Sequence, residues 1–514
     1  MLSDRRRARR ATAPAVLLAA ALGLAGCVAP KQQTTVDGGG ATAGHTADVG
    51  GDLESYYGQD VRWAPCGDFE CATVRAPLDW ADPSAGSIDL AINRAPATGT
   101  DRIGSLLINP GGPGGSGTDY LQYGVEGISP EVLAAYDVVG FDPRGVGASS
   151  AVDCGPDSEV DAFLTADAAI TDQGSLDEVV AQATAFGERC LDNTGPLLGH
   201  VDTESAARDL DLLRAVLGDA QLHYLGFSYG TFLGATYAGL YPQNVGRLVL
   251  DGALDPTLTN DELALEQAAG FEQALRSYVA DCRAGAGCPL TGSVDDGLRQ
   301  IADVVARAER RPLDAGDGYS VNGTLALYGI IVTLYDDSYW SLLTGALAEA
   351  IQRNTGSQLL DYANAYLERT RDGTYLSNSN LAFTAINCLD YPTTVRDYDQ
   401  MVAYRDQVAE VAPTFATWFA MAPGCETWPF QSTREPTPIV ASGAAPILVV
   451  GTTGDPATPY AWSKELAGQL ESGTLLTWNG EGHTAYGRAG ECITAAVDAY
   501  LLRGEVPADG TTCD

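Results

Sequence analysis

The chain is short of basic side chains and of histidine. Lysine and arginine together number 30 against 67 aspartates and glutamates, which gives a formal net charge of −37, and there are four histidines in 514 residues. A molecule this acidic is soluble, is repelled by nucleic acid and is not attracted to anionic surfaces. We therefore expect no DNA or RNA partner.

The chain also lacks the residue patterns that hold metals. No Cys-x-x-Cys pair occurs, and the one histidine pattern that a zinc site could use has a different assignment below. Clustered cysteines and histidines are what structural zinc requires. We expect no metal site and no cofactor, and internal repeats are not apparent.

The N-terminus has the composition of an export signal. Five arginines lie within the first ten residues, an apolar stretch covers residues 11–24, and the segment ends Leu-Ala-Gly-Cys27. This ending resembles a bacterial lipobox, so residues 1–27 are predicted to be a lipoprotein-type signal peptide with Cys27 as the acylated membrane anchor. Cleavage after a nearby small residue, which would release a soluble secreted protein, is the alternative. Residues 28–60 are predicted to form a flexible tether.

Ten cysteines remain besides Cys27, an even number in a chain predicted to be exported. Oxidising conditions outside the cell favour disulfides. Pairing between neighbours along the chain is the simplest arrangement, although the sequence leaves the connectivity open. The proposed pairs are Cys66 with Cys71, Cys154 with Cys190, Cys282 with Cys288, Cys388 with Cys425, and Cys492 with Cys513.

The segment 226–230, Gly-Phe-Ser-Tyr-Gly, is the most informative motif. It lies between a strand-like run, residues 222–225, and a helix-like run, residues 231–238. Gly-x-Ser-x-Gly at such a junction is typical of a nucleophile elbow, in which the glycines avoid collisions between strand and helix while Ser228 stays exposed. The N–H of Tyr229 and the helix dipole would then stabilise an oxyanion formed by attack of Ser228.

A serine nucleophile needs a histidine base and a carboxylate that orients it, in the chain order Ser, Asp, His for this kind of elbow. His483 is the histidine that follows the elbow, in a glycine-containing loop after the apolar run 474–478. Asp455 follows the apolar run 445–451, typical of a buried parallel strand, and so stands at a strand's carboxyl end. We predict the catalytic triad Ser228, Asp455 and His483. A buried structural histidine and an aspartate that merely caps the next helix are the alternatives.

A second oxyanion donor is predicted in the loop after the strand-like run 106–109. Residues 110–117 read Pro-Gly-Gly-Pro-Gly-Gly-Ser-Gly and precede another strand pattern at 136–142. So many glycines indicate close approach of the backbone to a ligand. We assign the N–H of Gly112, together with that of Tyr229, to the oxyanion hole. A flexible linker is the alternative.

Together these motifs resemble those of the actinobacterial secreted tripeptidyl aminopeptidases, relatives of the prolyl aminopeptidases. The resemblance runs from about Val61 onward and implies the triad and oxyanion residues already named. Asn109-Pro110 is a departure, because prolyl aminopeptidases have a histidine there, and this argues against proline-specific release. The motifs are Asn-Pro-Gly-Gly-Pro-Gly at 109–114, Asp-Pro-Arg-Gly-Val-Gly-Ala-Ser at 142–149, the elbow at 226–230, Gly-Asp-Pro-Ala-Thr-Pro at 454–459 and Gly-His at 482–483.

The order of these elements predicts an α/β-hydrolase fold with a large, mostly helical cap inserted before the last two core strands. Residues 61–256 and 446–514 would form the two parts of the core, and residues 257–445, with apolar side chains at helical spacing, the cap. Two of the proposed disulfides fall inside this cap. We expect them to hold a segment that lacks a deep core of its own.

A cap over the triad restricts access and favours small or terminal substrates. An enzyme that cleaves from a free N-terminus must pair the substrate's α-ammonium with carboxylates, since a buried cation needs an anion. Asp390 and Glu426 would be brought close by the proposed disulfide 388–425, and we propose them for that role. Two ordinary surface carboxylates are the alternative, and Asp336 and Asp337 are further candidates.

The leading hypothesis is an exported, lipid-anchored serine exopeptidase that releases short peptides, tripeptides in particular, from the free N-termini of peptides or proteins. The same triad would serve a cell-envelope esterase or a lid-gated endoprotease. A catalytically silent surface binding protein with this fold is a third possibility, and the ordered triad argues against it. The sequence does not determine the oligomeric state.

Overall fold

The computed structural model describes residues 51–167, 170–420 and 425–514. The predicted signal peptide, the lipidation site Cys27 and most of the predicted tether lie outside the described residues. Within the described ranges no helix has both the length and the apolar character needed to cross a membrane.

A ten-stranded mixed sheet organises the molecule, with the strand order β1-β2-β3-β5-β4-β6-β7-β10-β11-β12. The first three strands and the β3–β5 pair are antiparallel, and every pair from β5 to β12 is parallel. The strands are β1 Ala64–Cys66, β2 Phe69–Pro77, β3 Ser87–Ala95, β4 Gly104–Asn109, β5 Tyr136–Phe141, β6 Leu222–Phe227, β7 Val245–Asp251, β8 Leu313–Gly316, β9 Tyr319–Val321, β10 Ile447–Gly454, β11 Gly473–Glu481 and β12 Thr511–Cys513, with β8 and β9 forming a separate hairpin.

Helices cover both faces of the sheet and make up most of the insertion. The helices outside the insertion are α1 Glu54–Tyr57, α2 Gly117–Gly124, α3 Pro130–Ala135, α4 Asp157–Leu164, α5 Gln173–Thr194, α6 Thr203–Val216, α7 Tyr229–Leu240, α16 Tyr460–Gln469 and α17 Glu491–Arg503. Those of the insertion are α8 Asn260–Ala284, α9 Val294–Arg310, α10 Gly323–Ile331, α11 Trp340–Ala348, α12 Ser357–Tyr366, α13 Ser379–Asp390, α14 Tyr398–Val411 and α15 Ala416–Ala420.

The central strands are buried on both faces, and most of their side chains are apolar. Along β4, Leu106 and Ile108 pack into one hydrophobic core while Leu107 packs into the core on the opposite face. Every residue of β4 and of β5 is buried. Such runs are typical of parallel strands covered by helices on both sides. The α/β-hydrolase prediction is confirmed, with a mostly helical insertion between β7 and β10.

One expectation about this architecture needs correction. The insertion, expected to lack a deep core, has a hydrophobic core of its own, a cluster of buried side chains that runs from Ala268 to Ala420 and includes Ala457 from the loop after β10. Beyond the last two core strands, β12 pairs with β11 as a short edge strand.

Disulfides join the five cysteine pairs that were named from the sequence. Cys282–Cys288 and Cys388–Cys425 lie in the insertion, and Cys492–Cys513 ties α17 to the edge strand β12. The remaining two are Cys66–Cys71 and Cys154–Cys190.

Candidate active site

Ser228 stands at a sharp turn between β6 and α7. Its backbone is strained, with φ 54° and ψ −124°, and the serine is partly exposed while the residues around it are buried. A Cβ on Gly226 would lie 2.5 Å from the carbonyl oxygen of Gly230, and one on Gly230 would lie 2.8 Å from Oδ1 of Asn109. Both glycines are therefore required by close backbone approach, and the turn has the geometry of a nucleophile elbow.

Asp455 and His483 form a hydrogen-bonded pair. Nδ1 of His483 lies 2.9 Å from Oδ1 and 3.0 Å from Oδ2 of Asp455. The aspartate is 4% exposed, and its oxygens also accept backbone N–H groups from Ala457, Thr458 and Thr484. These donors hold the carboxylate in one orientation. It can therefore fix the histidine ring and stabilise its protonated form, as the carboxylate of a serine triad must.

The end of β7 holds the elbow and the histidine loop side by side. The N–H of Ser228 donates to the carbonyl oxygen of Asp251 at 2.9 Å, while the Asp251 carboxylate accepts the N–H groups of Ala485 and Tyr486. Burial raises the pKa of Asp251 to about 6. At the next residue, a Cβ on Gly252 would lie 3.2 Å from Cε1 of His483. The structure thus brings the three residues of the predicted triad to neighbouring strand ends.

Thr458 is a site residue that the sequence analysis missed. Its hydroxyl donates to Oδ2 of Asp455 at 2.9 Å and lies 3.3 Å from Nδ1 of His483. The side chain is 2% exposed. Short-range hydrogen bonds from residues i+2 and i+3 to an aspartate are a recognised turn pattern, so Asp-Pro-Ala-Thr at 455–458 carried a local signal.

The glycine-rich loop after β4 packs directly on the elbow. A Cβ on Gly111 would lie 2.9 Å from Cβ of Ser228 and 3.1 Å from the backbone nitrogen of Tyr229. Gly111 and Gly112 both have positive φ, 96° and 112°, and Oδ1 of Asn109 accepts the Gly111 N–H at 3.0 Å. The loop backbone therefore lies against the Ser228 side chain and the backbone nitrogen of Tyr229.

The insertion contacts the histidine loop. The N–H of His483 donates to the carbonyl oxygen of Tyr335 at 2.7 Å, and the two rings meet edge to face with centroids 5.4 Å apart. Arg488, which follows the histidine, pairs with Asp336 and Asp337, each at 3.3 Å. These two carboxylates, considered above for binding a substrate ammonium, are thus bound to an arginine.

The two carboxylates proposed as the amino-terminus anchor have different surroundings. Asp390 is 2% exposed, and its two oxygens accept hydrogen bonds from Thr203. Glu426 lines a small cleft with Arg396 and Asn260, and Asp390 is not among the residues of that cleft. Asp390 is therefore too buried to meet a substrate ammonium, and a different role for it is argued below.

The remaining histidines have other surroundings. Nδ1 of His223 accepts the N–H of Arg247 at 3.1 Å, and burial lowers its pKa to about 4, so it stays neutral. The carbonyl oxygen of His200 accepts a hydrogen bond from Arg144, and His45 lies outside the described residues. Across residues 51–167, 170–420 and 425–514, no group of three or more histidine, cysteine, aspartate or glutamate side chains is arranged to hold a metal ion.

Comparison with known proteins places this site in a family. A family described as TAP-like protein matches residues 412–513, which include Asp455 and His483. Serine protease Hip1 from Mycobacterium tuberculosis is 37% identical over 97% of this chain and 96% of its own length. Carboxylesterase B from the same species is 35% identical over 88% of this chain and 89% of its own.

A further relative carries the name that the motifs had indicated. Tripeptidyl aminopeptidase from Streptomyces lividans is 33% identical over 87% of this chain and 83% of its own length. An elbow serine near a histidine–aspartate pair, on an α/β-hydrolase sheet, fits serine peptidase chemistry. The chain belongs to the family of α/β-hydrolase serine peptidases that includes Serine protease Hip1 and the tripeptidyl aminopeptidases.

Proposed function

We propose that this serine peptidase is an exported exopeptidase that releases short peptides, tripeptides in particular, from free N-termini. The observation that carries the proposal is the hydrogen-bonded Asp455–His483 pair, in a histidine loop that Asp251 joins to the elbow at Ser228 and that the insertion contacts. The name of the Streptomyces lividans relative, Tripeptidyl aminopeptidase, supports the tripeptide length.

The catalytic cycle uses side chains and backbone N–H groups of this chain, with water as the second substrate. Oγ of Ser228 attacks the scissile carbonyl carbon while His483 takes the hydroxyl proton, and Asp455 stabilises the imidazolium. The N–H groups of Tyr229 and Gly112 hold the oxyanion. His483 then gives its proton to the leaving amine as the C–N bond breaks, which leaves an ester on Ser228. Water, deprotonated by His483, hydrolyses that ester and restores the serine.

Restricted access supports exopeptidase action over cleavage inside folded proteins. The insertion reaches the site from two sides, through Tyr335 at the histidine and through α13 at the glycine loop, where a Cβ on Gly114 would lie 2.3 Å from the carbonyl oxygen of Ser379. A chain terminus enters such a site more easily than a loop of a folded substrate. The free α-ammonium would then set the register of cleavage.

A tripeptide p-nitroanilide tests the proposal when it is compared with its N-acetylated form. We expect the free amine to be cleaved at least 100-fold faster in kcat/KM, because acetylation removes the cation that the enzyme would recognise. Ser228→Ala should abolish both turnover and labelling by a fluorophosphonate probe, with a loss of about 10⁴-fold or more. Equal cleavage of the free and acetylated substrates would refute the exopeptidase assignment while leaving the serine hydrolase chemistry intact.

An esterase is the second candidate, since one full-length relative is named Carboxylesterase B. The same Ser228 chemistry cleaves esters, which have a better leaving group than amides. Turnover of short acyl esters with no measurable cleavage of any free-amine peptide anilide would establish this alternative. Comparable kcat/KM for a tripeptide amide and its ester would instead support the peptidase.

Export and membrane attachment are also proposed. The five disulfides support an oxidising environment, and attachment would depend on acylation at Cys27. Cells fed a labelled fatty acid should incorporate the label into the wild-type protein and not into a Cys27→Ser variant. Unlabelled wild-type protein in the culture medium would instead support the soluble secreted form.

A further inference from the structure

One helix of the insertion contacts the glycine loop of the predicted oxyanion hole and is linked to Tyr229 through Thr203. Helix α13, Ser379–Asp390, has 12 residues and is therefore about 18 Å long. Its first turn packs on the glycine loop, where a Cβ on Gly114 would lie 2.3 Å from the carbonyl oxygen of Ser379 and 2.9 Å from the backbone nitrogen of Phe383. Any shift of this end of α13 would therefore press on the loop that includes Gly112.

The last residue of α13 is linked to the other half. Oδ1 of Asp390 accepts the backbone N–H of Thr203 at 2.9 Å, and Oδ2 accepts the Thr203 hydroxyl at 2.6 Å. The oxygen of that hydroxyl also hydrogen-bonds with the phenol of Tyr229, the residue whose backbone N–H follows Ser228. All three side chains are at most 3% exposed, so water does not compete for these hydrogen bonds.

Both ends of α13 are fixed to their surroundings. At the start, Nδ2 of Asn378 donates to the carbonyl oxygens of Gly145 and Val152 at 2.9 and 3.0 Å. Near the end, the Cys388–Cys425 disulfide holds the helix, and Nε of Arg434 donates to the backbone carbonyl of Asp390 at 2.6 Å. The helix is thus held at both ends.

A carboxylate buried at this position lowers the stability of the fold, so stability does not explain its presence. No arginine or lysine of the described ranges forms a salt bridge with the Asp390 side chain, and burial raises its pKa to about 7. A buried acid with neutral partners destabilises its ionised form. Residues that violate a packing rule in this way are expected at functional sites.

We propose that α13 positions the oxyanion hole, with Asp390 acting through Thr203 on Tyr229 and the first turn acting on the glycine loop. The inference rests on the proposed function, because it needs the Tyr229 N–H as an oxyanion donor. Asp390 is then a positioning residue. It holds the Tyr229 phenol, and with it the backbone at the start of α7, in the orientation that the transition state requires.

Loss of this chain of hydrogen bonds affects the transition state more than substrate binding. An oxyanion donor interacts most strongly when charge develops on the substrate oxygen, so its displacement lowers kcat with little change in KM. Complete loss of one donor costs about 10²–10³ in kcat, which sets the upper limit. We expect a roughly 10-fold loss for a donor that is displaced and still present.

Thr203 offers a matched pair of variants. Thr203→Val replaces the hydroxyl with a methyl group of similar shape and should lower kcat about 10-fold at unchanged KM, whereas Thr203→Ser keeps the hydroxyl and should restore wild-type kcat. Tyr229→Phe should cause the same loss as Thr203→Val, and the double variant no further loss. Inhibition by a tripeptide aldehyde, whose adduct carries the oxyanion, should weaken in parallel, while inhibition by the product tripeptide should not.

Controls separate positioning from folding and from the proposed function. All rates are normalised to sites titrated with a fluorophosphonate, and the control Glu204→Gln removes an exposed charge, the partner of Arg208, from the first turn of the same helix α6 and should keep wild-type kcat. Asp390→Ala should lower kcat as Thr203→Val does, and if it fails to fold, the Val/Ser pair decides. Wild-type kcat per titrated site in Thr203→Val would overturn the positioning role, whereas activity retained in Ser228→Ala would overturn the proposed function instead.

Discussion

The buried carboxylate of Asp390 should make the fold less stable as the pH rises. Burial raises its pKa from the ordinary 3.8 to about 7, partly offset by the two hydrogen bonds from Thr203, with Asp202 raising and Arg434 lowering it further. Because the folded-state pKa is the higher one, the native protein binds more protons than the unfolded chain between these values. The free energy of unfolding therefore falls through this interval and levels off above pH 7.

The size of the effect follows from the shift. One pKa unit corresponds to about 1.4 kcal/mol, and most of the interval from 3.8 to about 7 is crossed between pH 5 and pH 8. Asp390 alone should therefore lower the free energy of unfolding by roughly 3 kcal/mol over that range. The Asp390 side chain is 2% exposed, so solvent screens its charge only weakly. Asp390→Asn cannot ionise and should lose this contribution to the pH dependence.

Urea denaturation of wild type and Asp390→Asn with disulfides intact, at pH 5, 6, 7 and 8, tests this. The lost hydrogen bond from Thr203 gives a pH-independent offset, so the informative quantity is the change with pH of the stability difference. It should move by roughly 3 kcal/mol in favour of the variant between pH 5 and pH 8. Asp399→Asn, which removes an exposed carboxylate, should behave as wild type. The reasoning is refuted if the difference in free energy of unfolding between wild type and Asp390→Asn changes by less than about 1 kcal/mol from pH 5 to pH 8.

Three further predictions concern the site and its support. Thr458→Val removes the hydroxyl bonded to Asp455 at 2.9 Å and should lower kcat about 10-fold or more, because a hydrogen bond to a charged group is lost. Thr458→Ser should retain activity, and steady-state kinetics per titrated site test both variants. Gly111→Ala places a Cβ 2.5 Å from the carbonyl oxygen of Phe227 and should nearly abolish turnover. Gly318→Ala, a control with similar positive φ and nothing within 4 Å, should only lower stability slightly. Unchanged turnover in Gly111→Ala would contradict the close approach of the glycine loop to the elbow. Arg144→Met removes the partner of Asp209, both buried and bonded at 2.7 Å, and should lower the free energy of unfolding by about 3–5 kcal/mol in urea titrations.

The core, and the arrival of Ser228, Asp455 and His483 at one edge of the sheet, were predictable because each of these residues follows a strand that contains an apolar run. Parallel strands that are buried on both faces are recognisable in the sequence as apolar runs, and their carboxyl ends meet at one edge of the sheet. Ser228 follows β6 and Asp455 stands just beyond β10, with His483 two residues past β11. Local sequence therefore determined which side chains converge.

The insertion could not be read in the same way. Helices α12, α14 and α15 and the β8–β9 hairpin lack a strong local signal, yet together with other helices of the insertion they bury a second core, while α13 packs its buried side chains into the core of the main sheet. The Asp390 interpretation failed for a related reason. The partner of Asp390 is Thr203, 187 residues earlier in the chain, and no local pattern indicates that contact. From the sequence, Asp390 was expected to face substrate because it lies near the proposed disulfide 388–425. In the folded protein its carboxylate is bonded instead to Thr203, the first residue of α6.

The contacts between insertion and core imply that specificity and catalysis are not separable in this protein. The insertion supplies the carbonyl oxygen of Tyr335 to the His483 N–H and packs α13 on the glycine loop. If the insertion merely covered the site, altering it would leave the turnover rate of bound substrate unchanged. Here the same segment touches both His483, the proposed base, and the glycine loop proposed to hold the oxyanion, so changes in it that redirect substrate choice should also alter kcat. Exchange of the insertion between relatives would then transfer catalytic rate together with preference, and only when the α13 contacts at Gly114 and Thr203 are retained.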